Sequence, residues 1–435
     1  MCGPGSAADA APAPPASTAT RSYSSYVLAL LTLVFIVNSI DRQILAILIE
    51  PIKKEFGVSD TAMGFLTGLA FMVFYTLAGI PVARLADRAS RKSIIAVALA
   101  LWSLATAASG LARSFGELVL ARVLVGVGEA GGTAPSHALI SDYFPPQRRA
   151  TALSIHACGV YIGAALAFLA GGWLVTYYDW RMAFFLVGLP GVALAVVVWM
   201  TVREPARGAS EQRAADSANV PFRDVLRFLC TQRALVAITI GSALQSLAGY
   251  GVMNWGPSFL SRVHQMSWTQ IDLSLGWTIG VAGCIGAFAG GSLGDRMGAR
   301  DVRWYMRLPA LQSILAVPFL VGFVLLPTAS LALVCFVPYY LLSAMYLGPM
   351  FAMVQGLVDL RMRATAAAIL MFIMNLVGLG LGPLAIGALN DYAFGPHFGQ
   401  DAIRYSMLVV GLFGGFASVF FWYAARRLPT ELVRR

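Results

Sequence analysis

The sequence predicts an all-α integral membrane protein of 12 transmembrane helices, arranged as two pseudo-symmetric six-helix bundles. Three observations predict it. Of 435 residues, 58% are hydrophobic and only 12% charged, with a mean hydropathy of +0.73, more apolar surface than a water-soluble core needs. That surface falls into twelve runs of roughly 20 residues, the length that crosses a hydrocarbon layer of about 30 Å. Two loop motifs from the first half of the chain also recur in the second, in the same order.

The first run, 26–50, carries Asp41 and Arg42. The second, 61–84, leads into Ala83-Arg-Leu-Ala-Asp87-Arg88-Ala-Ser90-Arg91-Lys92. After the third, 92–112, the fourth at 116–141 holds Arg122, Glu129 and the glycines Gly126, Gly128, Gly131 and Gly132, which spanning helices use for close packing. Arg149-Ala-Thr-Ala152 opens the fifth run, 149–176, which includes His156, and the sixth, 181–202, contains Pro190. A polar stretch, 203–233, separates the halves. The seventh run, 234–261, holds Gln245 and Asn254, and the eighth, 270–295, ends in Gly291-Ser-Leu-Gly-Asp295-Arg296-Met-Gly298-Ala-Arg300. The ninth is 305–326, the tenth, 330–357, holds Tyr339, Tyr340, Tyr346 and Pro349, and the eleventh, 364–390, follows Arg363-Ala-Thr-Ala366 and carries Asn375. The twelfth is 402–425. Asp87 and Asp295 are 208 positions apart, Arg149 and Arg363 are 214 apart, so the simplest domain plan is a tail 1–22, a bundle 23–202, a linker 203–233, a second bundle 234–427 and a tail 428–435. Parallel repeats of this kind are a transporter architecture with the site between the halves.

Lysine and arginine give the expected orientation. With a cytoplasmic N-terminus, 23 of the 31 basic residues fall on the cytoplasmic side and only Lys53, Lys54, Arg113, Arg181, Arg262 and Arg404 on the other, which places both termini in the cytoplasm. The net charge of +10 is therefore a topology signal. Its residues are spread over loops and do not interleave with aromatics, so no nucleic-acid partner is expected. Residues 1–22 form a Pro, Ala and Ser tract expected to be a disordered tail, without the pattern of a cleavable signal. Cys2, Cys158, Cys230, Cys284 and Cys335 are scattered and read as small hydrophobes, so neither metal, disulfide nor cofactor is expected.

The doubled Asp-Arg loop, the twelve runs and the central linker resemble the major facilitator superfamily, over nearly the whole chain. Arg122-Val-Leu-Val-Gly126-Val-Gly128-Glu129 resembles that family's buried Arg followed by glycines, although Ala83 and Ser90 stand where glycines are common in the loop. A finer resemblance is to bacterial spinster-type transporters. It rests on Asp41-Arg42-Gln-Ile-Leu-Ala46, Leu85-Ala-Asp-Arg88 with Arg91-Lys92, Gly126-Val-Gly-Glu-Ala130, Ala134-Pro-Ser and Ile140-Ser-Asp-Tyr-Phe144. That resemblance implies export of sphingosine phosphate or lysophospholipids, and relatives with a similar fourth helix imply small organic anions such as sugar acids. It also implies a conformational latch at the cytoplasmic ends, made by Asp87, Arg88, Arg91 and Arg149 with Asp295, Arg296 and Arg363, each aspartate docking at a helix N-terminus of the other half, where the dipole favours a carboxylate.

Four charges, Asp41, Arg42, Arg122 and Glu129, lie inside predicted spans. Each costs at least about 2.5 to 3.5 kcal/mol to insert, so such groups usually line a path for ions, protons or substrate. At about 1.5 Å per residue, Asp41, Arg42 and Arg122 fall at a similar depth, which makes an Asp41–Arg122 pair possible. Glu129 lies two turns below Arg122 on nearly the same face, with His156 near its depth. An acid beside an Arg can pair when ionised and release it when protonated, so Asp41, Glu129, Arg122 and His156 are the expected proton-coupling residues. The alternative is a fixed network that locks the first and fourth helices together. Substrate contacts are expected from Arg42 and Arg122, whose planar forks suit a phosphate or carboxylate, and from Gln245, Asn254, Tyr340 and Asn375 in the second half, which has no charge at comparable depth.

The reading is therefore a proton-coupled secondary transporter working by alternating access, moving an amphiphilic anionic lipid or, alternatively, a small organic anion. It is expected to be a monomer in a bacterial inner membrane, with protons, the anionic substrate and surrounding lipids as partners. A membrane-embedded enzyme is the remote alternative; His137 and His156 near Ser136 and Ser154 match no hydrolytic motif, so no enzyme is expected. Nor is there a Gly-rich nucleotide loop, leaving an ion gradient as the energy source.

Overall fold

The computed structural model describes residues 20–86, 88–205, 222–358 and 362–433. Expectations for the tail 1–19, for Asp87, for linker residues 206–221 and for the side chain of Arg363 lie outside the described residues. The fold is all-helical. Eleven continuous stretches are long and apolar enough to cross a membrane, and the last of them, Thr365–Glu431, turns back on itself through Gly395–Phe398 and Gly399–Asp401, so twelve passes result.

Local chemistry sets where the helices start. Side-chain oxygens of Thr20, Ser59, Ser90 and Ser114 each accept from a backbone N–H three residues on, satisfying donors that a helix start leaves free. The first span, Arg21–Phe56, ends at Gly57, whose φ of 62° is the left-handed conformation that glycine adopts freely. It begins earlier than the 1–22 tail allowed, and the last helix, Ala402–Val433, runs past the boundary at 427.

Several spans are interrupted. The second is broken at Gly68 into Asp60–Thr67 and Leu69–Ala86, the fourth at residues 130–132 into Phe115–Glu129 and Thr133–Tyr143. Widened π-helical turns occur in the eighth span at Thr278–Ala282 and in the eleventh at Leu376–Leu381 and Leu389–Phe394. The linker, expected to be a polar loop, contains a helix, Phe222–Thr231, whose Val225, Phe228 and Leu229 turn inward while Phe228 and Leu229 pack on the second bundle. Helical spacing of these three residues between charged neighbours is the signal that the composition of the linker concealed.

The core divides unevenly. At the end remote from the termini, called here the far end, one cluster joins Ile44, Ile47, Ile52 and Leu66 of the first half to Val252, Trp255, Phe259 and Leu275 of the second. Toward the termini two clusters replace it, one around Leu31, Leu99 and Trp102, the other around Ile238, Met350 and Phe421. The halves are thus fused by apolar packing at the far end. Outward faces keep Leu104, Val196, Phe288, Val334 and Phe416 exposed, as expected of surfaces that meet lipid.

Candidate functional site

The four buried charges form two crossed pairs. Asp41 and Arg42 are neighbours on one helix, so their side chains point about 100° apart and reach different partners on the fourth span. Arg122 Nη1 donates to Asp41 Oδ1 at 3.0 Å, and the Thr106 hydroxyl donates to Asp41 Oδ2. Arg42 Nε donates to Glu129 Oε2 at 2.6 Å. Asp41, Arg122 and Glu129 are buried, whereas the Arg42 side chain keeps 19% of its surface exposed.

Aromatic faces complete the arrangement. The Arg42 guanidinium lies 5.1 Å from the Phe71 ring centre and 5.0 Å from that of Tyr75, and Arg122 lies 5.6 Å from Phe71, distances at which a cation is attracted to a ring. Small residues let the fourth span come this close. A methyl group on Gly126 would sit 2.5 Å from the Phe71 carbonyl oxygen, and one on Gly128 only 2.8 Å from the Trp102 backbone nitrogen. Arg42 Nη2, Arg122 Nε and Glu129 Oε1 have no partner among the described residues, so the network retains capacity to bind.

His156 is buried, stacked on Phe35 at 4.6 Å and 5.3 Å from His137, with both ring nitrogens unpartnered. It lines a small void with Asn38, Trp102, Gly132 and Ser136, three residues beyond Glu129 at its nearest. In the second half the expected contacts separate. Tyr340 and Asn375 are half-buried, and the Tyr340 hydroxyl faces the Met253 sulfur at 3.8 Å. Gln245 instead accepts from Ser313 at 3.1 Å inside its own bundle, and Asn254 donates to the Tyr250 carbonyl of its own helix. Both amides thus serve the second bundle, Gln245 between two spans and Asn254 within its own helix. Tyr250 of the second half lies within electrostatic range of Arg42, a neighbour the sequence reading missed.

Arg91, Arg149 and Asp295 each find a partner in their own half or in the linker. Arg91 binds Asp142 and, through Nε at 2.9 Å, Glu204, while Arg149 donates to the Ser141 carbonyl. Asp295 accepts from Tyr305, and Arg88 and Arg296 are exposed. Burial would raise the Glu204 carboxyl, but the Lys92 backbone N–H, Arg91 and Ser90 outweigh it and hold Glu204 below the usual carboxylate range.

Charged contacts between the halves occur at the far end, where sequence reasoning saw only loop charges. Arg262 of the seventh span donates to Asp60 at 2.6 and 2.8 Å and to Glu50 at 2.8 Å. Asn390 also donates to Asp60, Lys53 pairs with it, and Asp391 accepts from the Asp60 and Thr61 backbone N–H groups. A carboxylate at the N-terminus of the second span is favoured by the helix dipole. This network borders a pocket of about 380 Å³. Arg262 gave no signal in the sequence beyond its charge.

With this geometry in hand, the Major Facilitator Superfamily pattern matches residues 31–380. An MFS-type efflux pump of Mycolicibacterium smegmatis is 31% identical over 401 residues, covering 92% of each chain, and the hexuronate transporter of Bacillus subtilis is 25% identical over 375 residues, 82% of this chain and 86% of that one. Among solved structures, a bacterial homologue of the human lysosomal transporter spinster, in an inward-facing and unoccupied conformation, superposes with a TM-score of 0.86 at 30% identity, over 95% of this chain and 99% of that one. The chain therefore belongs to the Major Facilitator Superfamily, as a spinster-like integral membrane transporter and not an enzyme.

Proposed function

We propose that this protein is a proton-coupled transporter that moves an amphiphilic anion of the lysophospholipid or sphingoid-phosphate class by alternating access. The observation that carries the reading is Arg42. It is held by Glu129 through Nε alone, is partly accessible, and leaves Nη2 without a partner, so its fork can take a phosphate or carboxylate by charge-assisted hydrogen bonds. From the second half Tyr250 comes within electrostatic range of it, and Tyr340 and Asn375 are half-buried and uncharged, which suits an apolar tail. A proton on Glu129 or Asp41 weakens the hold on Arg42 or Arg122 and frees a cation for substrate. His156, near Glu129, is the candidate to pass that proton on.

Both termini are cytoplasmic in this reading, the membrane is a bacterial inner membrane, and the protein works as a monomer. The far-end network closes the outer side, while the Asp87 and Asp295 loops, with Arg363 and its neighbours, close the inner side in the alternate state. A second reading, transport of a sugar acid, is favoured by the similarity to the hexuronate transporter. Reconstituted vesicles under an imposed pH gradient, challenged with lysolipids of increasing chain length and with hexuronate, distinguish the two. Uptake that rises with chain length supports the lipid, and uptake of hexuronate with no response to chain length replaces it.

A further inference from the structure

Asp60 and Asp272 both lie in the first turns of an even-numbered span, the second and the eighth. They are 212 positions apart, one helical turn off the 208 that separates the capping serines Ser59 and Ser267 of these spans. Each meets a glycine of the opposite half. The backbone of Asp60 packs on Gly387 and the carboxyl of Asp272 lies on Gly172, and a methyl on either glycine would collide with its aspartate.

The surroundings of the two carboxyls differ. Asp60 is bound by Lys53, Arg262 and Asn390. Asp272 is just as buried, at 2% exposure, yet its carboxyl meets only helix backbone, the N–H groups of Gly172 and Trp173, and its Oδ1 has no hydrogen-bond partner among the described residues. Both N–H groups belong to the continuous fifth-span helix, Pro146–Tyr177, where they also serve the helix ladder. Around Asp272 the fifth span presents Gly172 and Trp173, and its own span the Trp268 carbonyl, which also lies on Gly172. Among the described residues no charged or titratable side chain acts on it from any of these elements.

A lone carboxylate enclosed between two helices is unfavourable and neutralises by taking up a proton. A neutral carboxyl can both donate and accept, which suits contact with helix backbone. Parting the eighth span from the fifth would return Asp272 to water. We propose that Asp272 is a second proton-binding site, set in the far-end gate, which takes a proton from the far-side medium when the eighth span closes onto the fifth and releases it when they part. Asp60 responds in the opposite sense, since protonating it weakens its bonds to Lys53 and Arg262.

The test reads gate geometry and not transport, so it stands or falls separately from the roles given to Asp41 and Glu129. Spin labels on Arg113→Cys and Thr269→Cys, in full-length protein whose native cysteines are replaced by serine, report the far-end separation in nanodiscs. Over the range in which Asp272 titrates, the closed-to-open ratio should rise up to tenfold per unit fall in pH. Asp272→Asn should remain closed throughout and lose that slope; should it not fold, the neutral Asp272→Ser carries the same test. A protonated-carboxyl infrared band present in the closed wild type and missing from the variant is the second readout. A neutral variant that opens the gate, an unchanged slope, or the absence of such a band overturns the proposal.

Discussion

Glu129 holds Arg42 by one nitrogen of its guanidinium, at 2.6 Å, while the adjacent Asp41 takes Arg122 at 3.0 Å. One step along the first span thus addresses a cation and an anion of the fourth. Of the two arginines, Arg42 is the more accessible.

Glu129→Gln and Asp41→Asn should each abolish gradient-driven accumulation while counterflow persists. Hydrogen bonds to a charged group are worth about 1.5 to 3 kcal/mol, so a shift of about one unit or more in the pH at half-maximal counterflow is expected. Transport assays over a pH series check this, and an unchanged profile in both variants refutes the coupling role.

Arg42→Lys should weaken anion binding by a similar factor at every tail length, because the headgroup and tail contributions are separate. For a lipid substrate, each added CH₂ contributes about 0.8 kcal/mol. Titration with a homologous lysolipid series in detergent-free discs measures both slope and offset.

Asp60→Asn should loosen the far end. Removing one of the two carboxylates that hold Arg262, with Glu50 left in place, costs about 1.5 to 3 kcal/mol. Distances between labels on the two halves at that end should lengthen, and charge-swapping Asp60 with Arg262 should restore part of the closed population.

Glu204 gives a pH prediction at the opposite end. Its carboxyl is held below the usual range, chiefly by the Lys92 N–H, Arg91 and Ser90 acting against burial. Its contribution is therefore fully present above the unfolded glutamate value of about 4.3 and is lost as pH falls through the lower, folded value. Amide exchange near Lys92 should be insensitive to pH-dependent opening between neutral and mildly acidic conditions. Glu204→Gln should raise that exchange at neutral pH.

Gly126→Ala should destabilise the first half by about 1 to 3 kcal/mol, the range for overpacking, because the new methyl meets the Phe71 carbonyl at 2.5 Å. Thermal unfolding in detergent measures it, and activity should fall with the displaced Arg122 and Glu129.

The apolar runs, the doubled loops and the Asp41–Arg122 pair were legible in the sequence, since each follows from period, length or depth. The Arg42–Glu129 pair was not assigned, because depth alone does not say which of two neighbouring arginines an acid will meet. Gln245 and Asn254 looked like cavity groups by polarity, yet polarity does not tell whether a side chain serves the cavity or its own bundle. Arg262 and Asp60 were hidden for another reason. Charges close to a membrane surface read as loop charges, and their pairing depends on how two distant segments approach.

The apolar cluster shared by both halves at the far end bears on how the protein is made. Chains emerge N-terminal end first, so Ile44, Ile47, Ile52 and Leu66 must wait, uncovered, until Trp255, Phe259 and Leu275 have been inserted. A nascent chain stopped after its sixth span presents that face to lipid with Asp60 still lacking Arg262. Biogenesis is complete only when the later half has been laid against the earlier one, and the unfinished molecule carries a sticky, charged seam that membrane chaperones and proteases can read.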